Sequence, residues 1–230
     1  MNIEGLKGKY SSIPKRYGCI LLAIILSLPL WRGMALALGE ENLSPSFGNG
    51  PIQVRLYTDY FCPPCRDMEP GLEPILLDLV KDGTIHLTFV DVPTSQHTVL
   101  YANYFLYALA EKRDLDSAIL ARRTLFEAAE KKVLEKDQLV NLLTQKGIGL
   151  KPLDVKPVYN LWNRHLQEDK IRSTPSCVIA HGDLKETHVG GLKVIKALET
   201  LKETLGEKPA SFPKDGKSEN TKMGEPSSLR

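Results

Sequence analysis

Cys62-Pro63-Pro64-Cys65 carries the clearest chemistry in this chain. Two thiols at this spacing can close a small disulfide ring across one helical turn. The run Pro51 to Thr58 ahead of them reads as a strand, and the run through Val80 behind them reads as a helix. The first sulfur then lies where unpaired backbone N–H groups and the positive end of the helix dipole favour a thiolate, the form that reacts in disulfide exchange. Cys62 is therefore the expected attacking thiol, and Cys65, one turn further in, the expected buried resolving thiol. Two other readings of the pair stay open: half of a zinc site, and a static structural disulfide. Tetrahedral zinc wants four ligands, and the sequence has no second Cys-x-x-Cys and no nearby His pair, so no metal is expected.

The elements around the pair follow a readable order. After the strand and helix, Thr84 to Val90 reads as a second strand, giving a strand, helix, strand unit of the kind that forms a parallel pair with a crossover. Roughly 75 residues with helical periodicity follow. Val99, Ala102, Leu106 and Leu109 fit one helical face, and Leu115, Ile119 and Phe126 fit a second. Asp137 is expected to cap a third helix that Gly147 stops, and Asp154 to start a fourth. Short strands return at Ser176–Ala180 and Glu186–Val189 around a His181-Gly182-Asp183 turn, and a last amphipathic helix spans about 192–205. The sum is an α/β sheet domain with a helical block in its middle.

Taken together, these residues resemble the DsbA-like thioredoxin-fold thiol–disulfide oxidoreductases. Tyr57-Thr58-Asp59-Tyr60-Phe61 before the dithiol, Pro70 five residues after Cys65, the helical insertion, and Thr174-Pro175 before the returning hairpin all match that family's layout over about residues 50–205. The resemblance implies a thioredoxin fold with an inserted all-helical domain. It also implies a cis bond at Pro175 that presents the Thr174 backbone to an extended substrate segment. X-Pro bonds are cis in only about 5–6% of cases, so frequency alone does not assign this one. The fold's usual buried acid, six residues before the first cysteine, is here Leu56. Asp59 is the candidate to replace it in proton transfer, against the alternative of a solvent-facing residue near the helix start.

The remaining candidates have plainer readings. Cys177 lies in a central-strand run and is expected to be an inert core thiol, since free cysteine is among the most buried residue types, with a third redox thiol as the alternative. His97 opens the inserted helices and is expected to pack or cap. Tyr57, Tyr60 and Phe61 are expected to pack the core and flank the dithiol, where exposed ring edges would receive unfolded chains.

The N-terminus reads as a targeting signal. Lys7, Lys9, Lys15 and Arg16 precede an apolar run of about a dozen residues, Cys19 to Leu30, and Ala35-Leu36-Ala37 supplies the small residues of a cleavage site. A membrane span needs about 20 apolar residues, so a cleaved signal is expected rather than an anchor. The expected division is 1–37 signal, 38–95 and 171–205 the two parts of the thioredoxin-fold domain, 96–170 the helical insertion, and 206–230 a disordered tail with little to bury. The full chain carries a formal +2, and five of its basic residues lie in the signal. What remains is weakly acidic and excludes charge-driven binding to nucleic acid or anionic membrane.

These readings converge on an exported, periplasmic, monomeric thiol–disulfide oxidoreductase without cofactor. Its expected partners are unfolded or cysteine-containing exported proteins and a membrane redox partner that resets the dithiol. The favoured direction is oxidation of substrates, because the sequence shows neither the leading dimerisation domain of isomerases nor the membrane anchor usual in cytochrome-maturation reductases. A reductase or isomerase is the alternative, and a chaperone-like holder or copper-handling thiol protein is the second class.

Overall fold

The computed structural model describes residues 44–206. The proposed signal at 1–37 and the tail beyond residue 206 lie outside them. Strands β1 (Ser46–Phe47), β2 (Ile52–Thr58), β3 (Ile85–Asp91), β4 (Ser176–His181) and β5 (Leu184–Val189) form one sheet in the order β1-β3-β2-β4-β5. Strands β2 and β3 are parallel, joined by the crossover helix α1 (Pro63–Lys81), and every other pairing is antiparallel. Between β3 and β4 run α2 (Gln96–Glu111), α3 (Leu115–Glu130), α4 (Lys136–Gln145) and α5 (Lys156–Glu168); α6 (Gly191–Gly206) closes the chain. This is the expected thioredoxin-type α/β sheet with an all-helical insertion.

Side chains two apart on a strand share a face, and here the two faces bury different partners. Ile52, Val54 and Leu56, with Ile85, Leu87 and Phe89, join a core with Leu72, Leu76 and Leu79 of α1 and with Leu125 and Phe126 of α3. Tyr57, Val90 and Val178 face the other way, against Ala102 and Leu106 of α2 and Val158 and Trp162 of α5. The Trp162 indole N–H donates to the Phe89 carbonyl at 3.1 Å, which pins α5 to the sheet. At the back of that face Asp169, just past α5, accepts a bidentate pair from Arg55 at 2.7 and 2.9 Å. The Tyr57 hydroxyl and the Lys185 ammonium complete its shell.

One element is added to the sequence expectations, and four expectations are corrected in detail. The two-residue strand β1 pairs with β3 and has no sequence signal, because so short an element is held by its ladder and not by a hydrophobic period. Glu135, not Asp137, stands at the N-cap of α4, and Asp137 falls in the first turn. Val155 is the N-cap of α5, with Asp154 reaching over it to accept the Lys156 N–H at 3.1 Å. Val99 is 39% exposed, unlike Ala102, Leu106 and Leu109, because α2 turns that position outward in its first turn. The hairpin closes through two residues, Gly182 and Asp183, instead of three, with Gly182 at φ 58° as such a tight loop requires. Gly147 ends α4 as expected, at φ 75° just beyond the cap.

Candidate active site: the dithiol and its supports

Cys62 is the N-cap of α1, extended at φ −79° and ψ 113°, and Pro63 and Pro64 fill the first two helical positions. Proline suits these positions because its fixed φ matches the helix and its missing N–H would find no partner there. Cys65 points inward and is fully buried, whereas Cys62 is half-buried beside the two exposed prolines. Pro70 and Pro74 lie inside the same helix.

Tertiary folding brings Thr174-Pro175 to the dithiol. The bond between them is cis, and the Cys62 thiol lies 3.4 Å from the Thr174 carbonyl oxygen, which accepts from it. The Pro175 carbonyl accepts from the Gly190 N–H at 2.9 Å, and the Ser176 hydroxyl donates to the Ser173 carbonyl at 2.7 Å. These bonds fix the proline loop on itself and to the end of β5. Burial pushes the Cys65 thiol up; its hydrogen bond with Cys62 adds to the rise, and a backbone bond at Asp59 opposes it. The helix terminus differs from the sequence expectation in one respect. Pro63 and Pro64 have no N–H, and those of Cys65 and Arg66 both donate to the Cys62 carbonyl, at 3.0 and 3.2 Å.

Asp59 does not face solvent. It is buried, and its carboxylate accepts from the Phe61 N–H at 2.8 Å and the Thr98 hydroxyl at 3.0 Å, with the Thr94 hydroxyl as a third donor. It therefore clamps the active-site loop to the start of α2, whose N-cap is Ser95. Three donors thus occupy this carboxylate. Leu56 is fully buried in the apolar core, opposite Cys177 across the β2–β4 ladder. Cys177 is free and buried, and burial pushes its thiol up to about 12, as befits a core thiol.

The aromatic expectations divide. Tyr57 faces away from α1 and does not flank the dithiol. Tyr60 is buried, with no exposed edge; its ring meets Tyr101 and Phe126, with centroids 5.7 and 4.9 Å away. Phe61 is half-buried, stacked edge-on to Tyr101 at 4.9 Å and 5.9 Å from the His97 ring, so His97 packs as expected.

Sequence reasoning missed a buried charge cluster behind the site. Arg122 of α3 donates to Glu69 of α1 at 2.9 Å and to the Thr58 hydroxyl at 3.1 Å, and reaches Asp91 at 3.5 Å. Tyr60 donates to the other Asp91 oxygen at 3.0 Å. The guanidinium lies 4.3 Å over the Phe89 ring, a cation–π contact in a dry setting. One signal could have found it: Asp91 continues the inward alternation Ile85, Leu87, Phe89 and so falls on the buried face.

A family described as Thioredoxin matches residues 48–194, most of the chain and the whole of this site. The chain belongs to the thioredoxin family. A periplasmic thioredoxin-like protein from Salmonella enterica serovar Typhimurium superposes with a TM-score of 0.54 at 22% identity, covering 72% of this chain and 91% of that one. ScsC of Proteus mirabilis in a transitional conformation gives 0.56 at 21% identity, covering 82% and 88%. A single-residue variant of α-DsbA1 from Wolbachia pipientis gives 0.50 at 13%, covering 71% and 92%. At these identities the likeness establishes the shared DsbA- and ScsC-like fold. Among curated proteins, none matches. Among the described residues, no helix is long and apolar enough to cross a membrane.

Proposed function

We propose that this protein is an exported thiol–disulfide oxidoreductase that exchanges a Cys62–Cys65 disulfide with cysteine-containing exported proteins, in the direction of donating it. One observation carries the reading. A half-buried thiol caps a helix within 3.4 Å of the Thr174 carbonyl at a cis-proline, while its partner thiol is buried one turn behind. That arrangement gives an incoming sulfur access to Cys62 and keeps Cys65 for the intramolecular step. Pro175 and Thr174 supply backbone next to the attacked sulfur, and Phe61 offers a partly exposed apolar edge for an unfolded chain. Export is supported by the basic and apolar pattern before Leu38 and by the periplasmic origin stated for the Salmonella neighbour. The membrane partner that resets the dithiol belongs to the same proposal.

Replacing Cys65 by Ala is expected to trap mixed disulfides between Cys62 and substrate proteins, and replacing Cys62 by Ala to trap none. Non-reducing electrophoresis with mass spectrometry of the adducts reads this out. Adducts on neither variant, or only on Cys62→Ala, overturn the assignment. A second reading, a disulfide reductase, is favoured by the first turn of α1. An oxidant relies on N–H donors that stabilise its thiolate, and here two of them are replaced by prolines while two serve the Cys62 carbonyl. Thermal unfolding of the oxidised and reduced protein, with a glutathione redox equilibrium, decides the direction. A disulfide form less stable than the dithiol form supports the oxidase. The reverse, with a potential like thioredoxin's of about −270 mV, supports the reductase.

A further inference from the structure

Helix α6 has a groove on each side. The one toward α1 measures about 830 Å³, within the usual range of ligand-sized clefts. Ile52 of β2 with Ile75 and Leu79 of α1 make its apolar floor, and Asp82, Glu199 and Glu203 stand on its rim. The lysine of that rim, Lys202, is bonded to Asp78 at 2.5 Å, and His181 is the remaining titratable neighbour. Among the described residues, the three rim carboxylates hold no ion pair. The groove on the other side, toward β5, is edged by Lys193 and Lys196.

Beyond Gly206 the chain runs on through residues 207–230, outside the described ones. That stretch has little to bury, apart from one run, Lys208-Pro209-Ala210-Ser211-Phe212-Pro213-Lys214, which sets its only aromatic ring between two lysines. The pattern complements the groove toward α1: an apolar middle for the apolar floor, and a cation at each end for the acidic rim. The lysines also discriminate between the two grooves, because Lys193 and Lys196 would repel them in the other. Reach is no obstacle. Phe212 follows Gly206 by six residues, which span up to about 20 Å when extended, whereas neighbouring helices pack about 8–10 Å apart. Glycine accommodates the left-handed turn with which helices commonly end, so the chain can double back there. Pro209 and Pro213 fix their own φ and hold the preceding residues extended, so fewer conformations are lost on docking. A tether this short keeps the ring near the groove at an effective concentration in the millimolar range, so a contact of only about millimolar affinity is made about half of the time.

We propose that the segment from Lys208 to Lys214 docks in the groove between α1 and α6, with the Phe212 ring over Ile52, Ile75 and Leu79 and its two lysines at Asp82, Glu199 and Glu203. The start of α6 gives this contact its consequence. There the Gly190 N–H donates to the Pro175 carbonyl at 2.9 Å, and a Cβ on Gly191 would come within 3.3 Å of the Pro64 carbonyl oxygen. The segment thus fastens the far end of the same helix whose near end abuts the dithiol loop.

Fluorine NMR on protein containing para-fluorophenylalanine tests this. The chain has six phenylalanines, and the signal lost in Phe212→Ala identifies the tail's own. In the wild type that signal should lie away from its position in the urea-unfolded protein and stay there on dilution. Joint replacement Asp82→Asn, Glu199→Gln and Glu203→Gln, all at exposed positions, should move it toward the unfolded position. The docked-to-free ratio should fall by about threefold or more, the effect of losing two surface ion pairs. A wild-type signal already at the unfolded position overturns the inference. So does a shifted signal that the amide variant leaves unmoved, since the ring then lies in another groove. A signal that returns to the unfolded position on dilution overturns it too, since the ring then belongs to a second copy.

Discussion

Asp91→Asn should reshape how stability depends on pH. The carboxyl is raised from an ordinary 3.8 to about 7, chiefly by burial. A group raised in the folded state contributes stability that is complete below its unfolded pKa and lost as pH climbs to the folded value. Each unit is worth about 1.4 kcal/mol, so the wild type should give up about 4 kcal/mol between pH 4 and pH 8 through this one group. Asparagine cannot ionise, yet it nearly matches the shape and still accepts from Tyr60. The expected signature is a difference between variant and wild type that changes by about 4 kcal/mol in the variant's favour across that interval. At pH 4.5 the variant should be the less stable protein, by about 1 kcal/mol for imperfect hydrogen bonding. At pH 8 it should be the more stable. Urea unfolding at matched pH values measures both, and taking the difference cancels every other titrating group. Two parallel stability curves would refute the reasoning, because they would mean that Asp91 carries the same charge folded and unfolded.

Two further substitutions test the supports of the site. Asp169→Ala removes the acceptor of Arg55, Tyr57 and Lys185 and should cost about 3 kcal/mol at pH 7, within the range for breaking a buried pair. Burial alone would raise Asp169, but its hydrogen bonds hold it below 3.8, so this contribution is present above the unfolded pKa and fades as pH falls toward 3; chemical unfolding at pH 7 and pH 3 should show the gap between variant and wild type close. Asp59→Ala strands the Phe61 N–H and two threonine hydroxyls and should cost about 2 kcal/mol. In a chain of this size that is a fall of about 4–8 °C in melting temperature, readable by calorimetry.

What the sequence discloses depends on distance along the chain. The dithiol, its strand and its helix lie close together in sequence, and local periodicity with cap and turn residues is enough to read them. Thr174-Pro175 lies far downstream, and only family likeness ties it to the dithiol. The Glu69–Arg122–Asp91 cluster spans three elements, and although periodicity can place a member on a buried face, nothing in the sequence pairs the three. Helical spacing puts Arg122 on the face of Ile119 and Phe126, but only pairing in space shows which carboxylates meet it there. The burial of Asp59 is hidden for the same reason, since its donors Thr94 and Thr98 belong to a later loop and helix. For Tyr57 the strand is legible but its facing is not, because only the helices packed on each side decide which face sees the dithiol.

The Lys185 contact with Asp169 has a second effect. Strand β5 is the outer edge of the sheet, and Leu184 on it is 74% exposed. An open edge offers unpaired backbone to any extended chain. Lys185 lies on this edge, yet its ammonium turns inward to a buried carboxylate. A strand added along β5 in continuous register would have to accommodate that charge. The opposite edge, β1, is only two residues long and offers almost nothing to extend. The bond that fastens the inserted helices to the sheet therefore also guards against runaway self-association, and neutralising Lys185 would be felt in solubility before it was felt in folding.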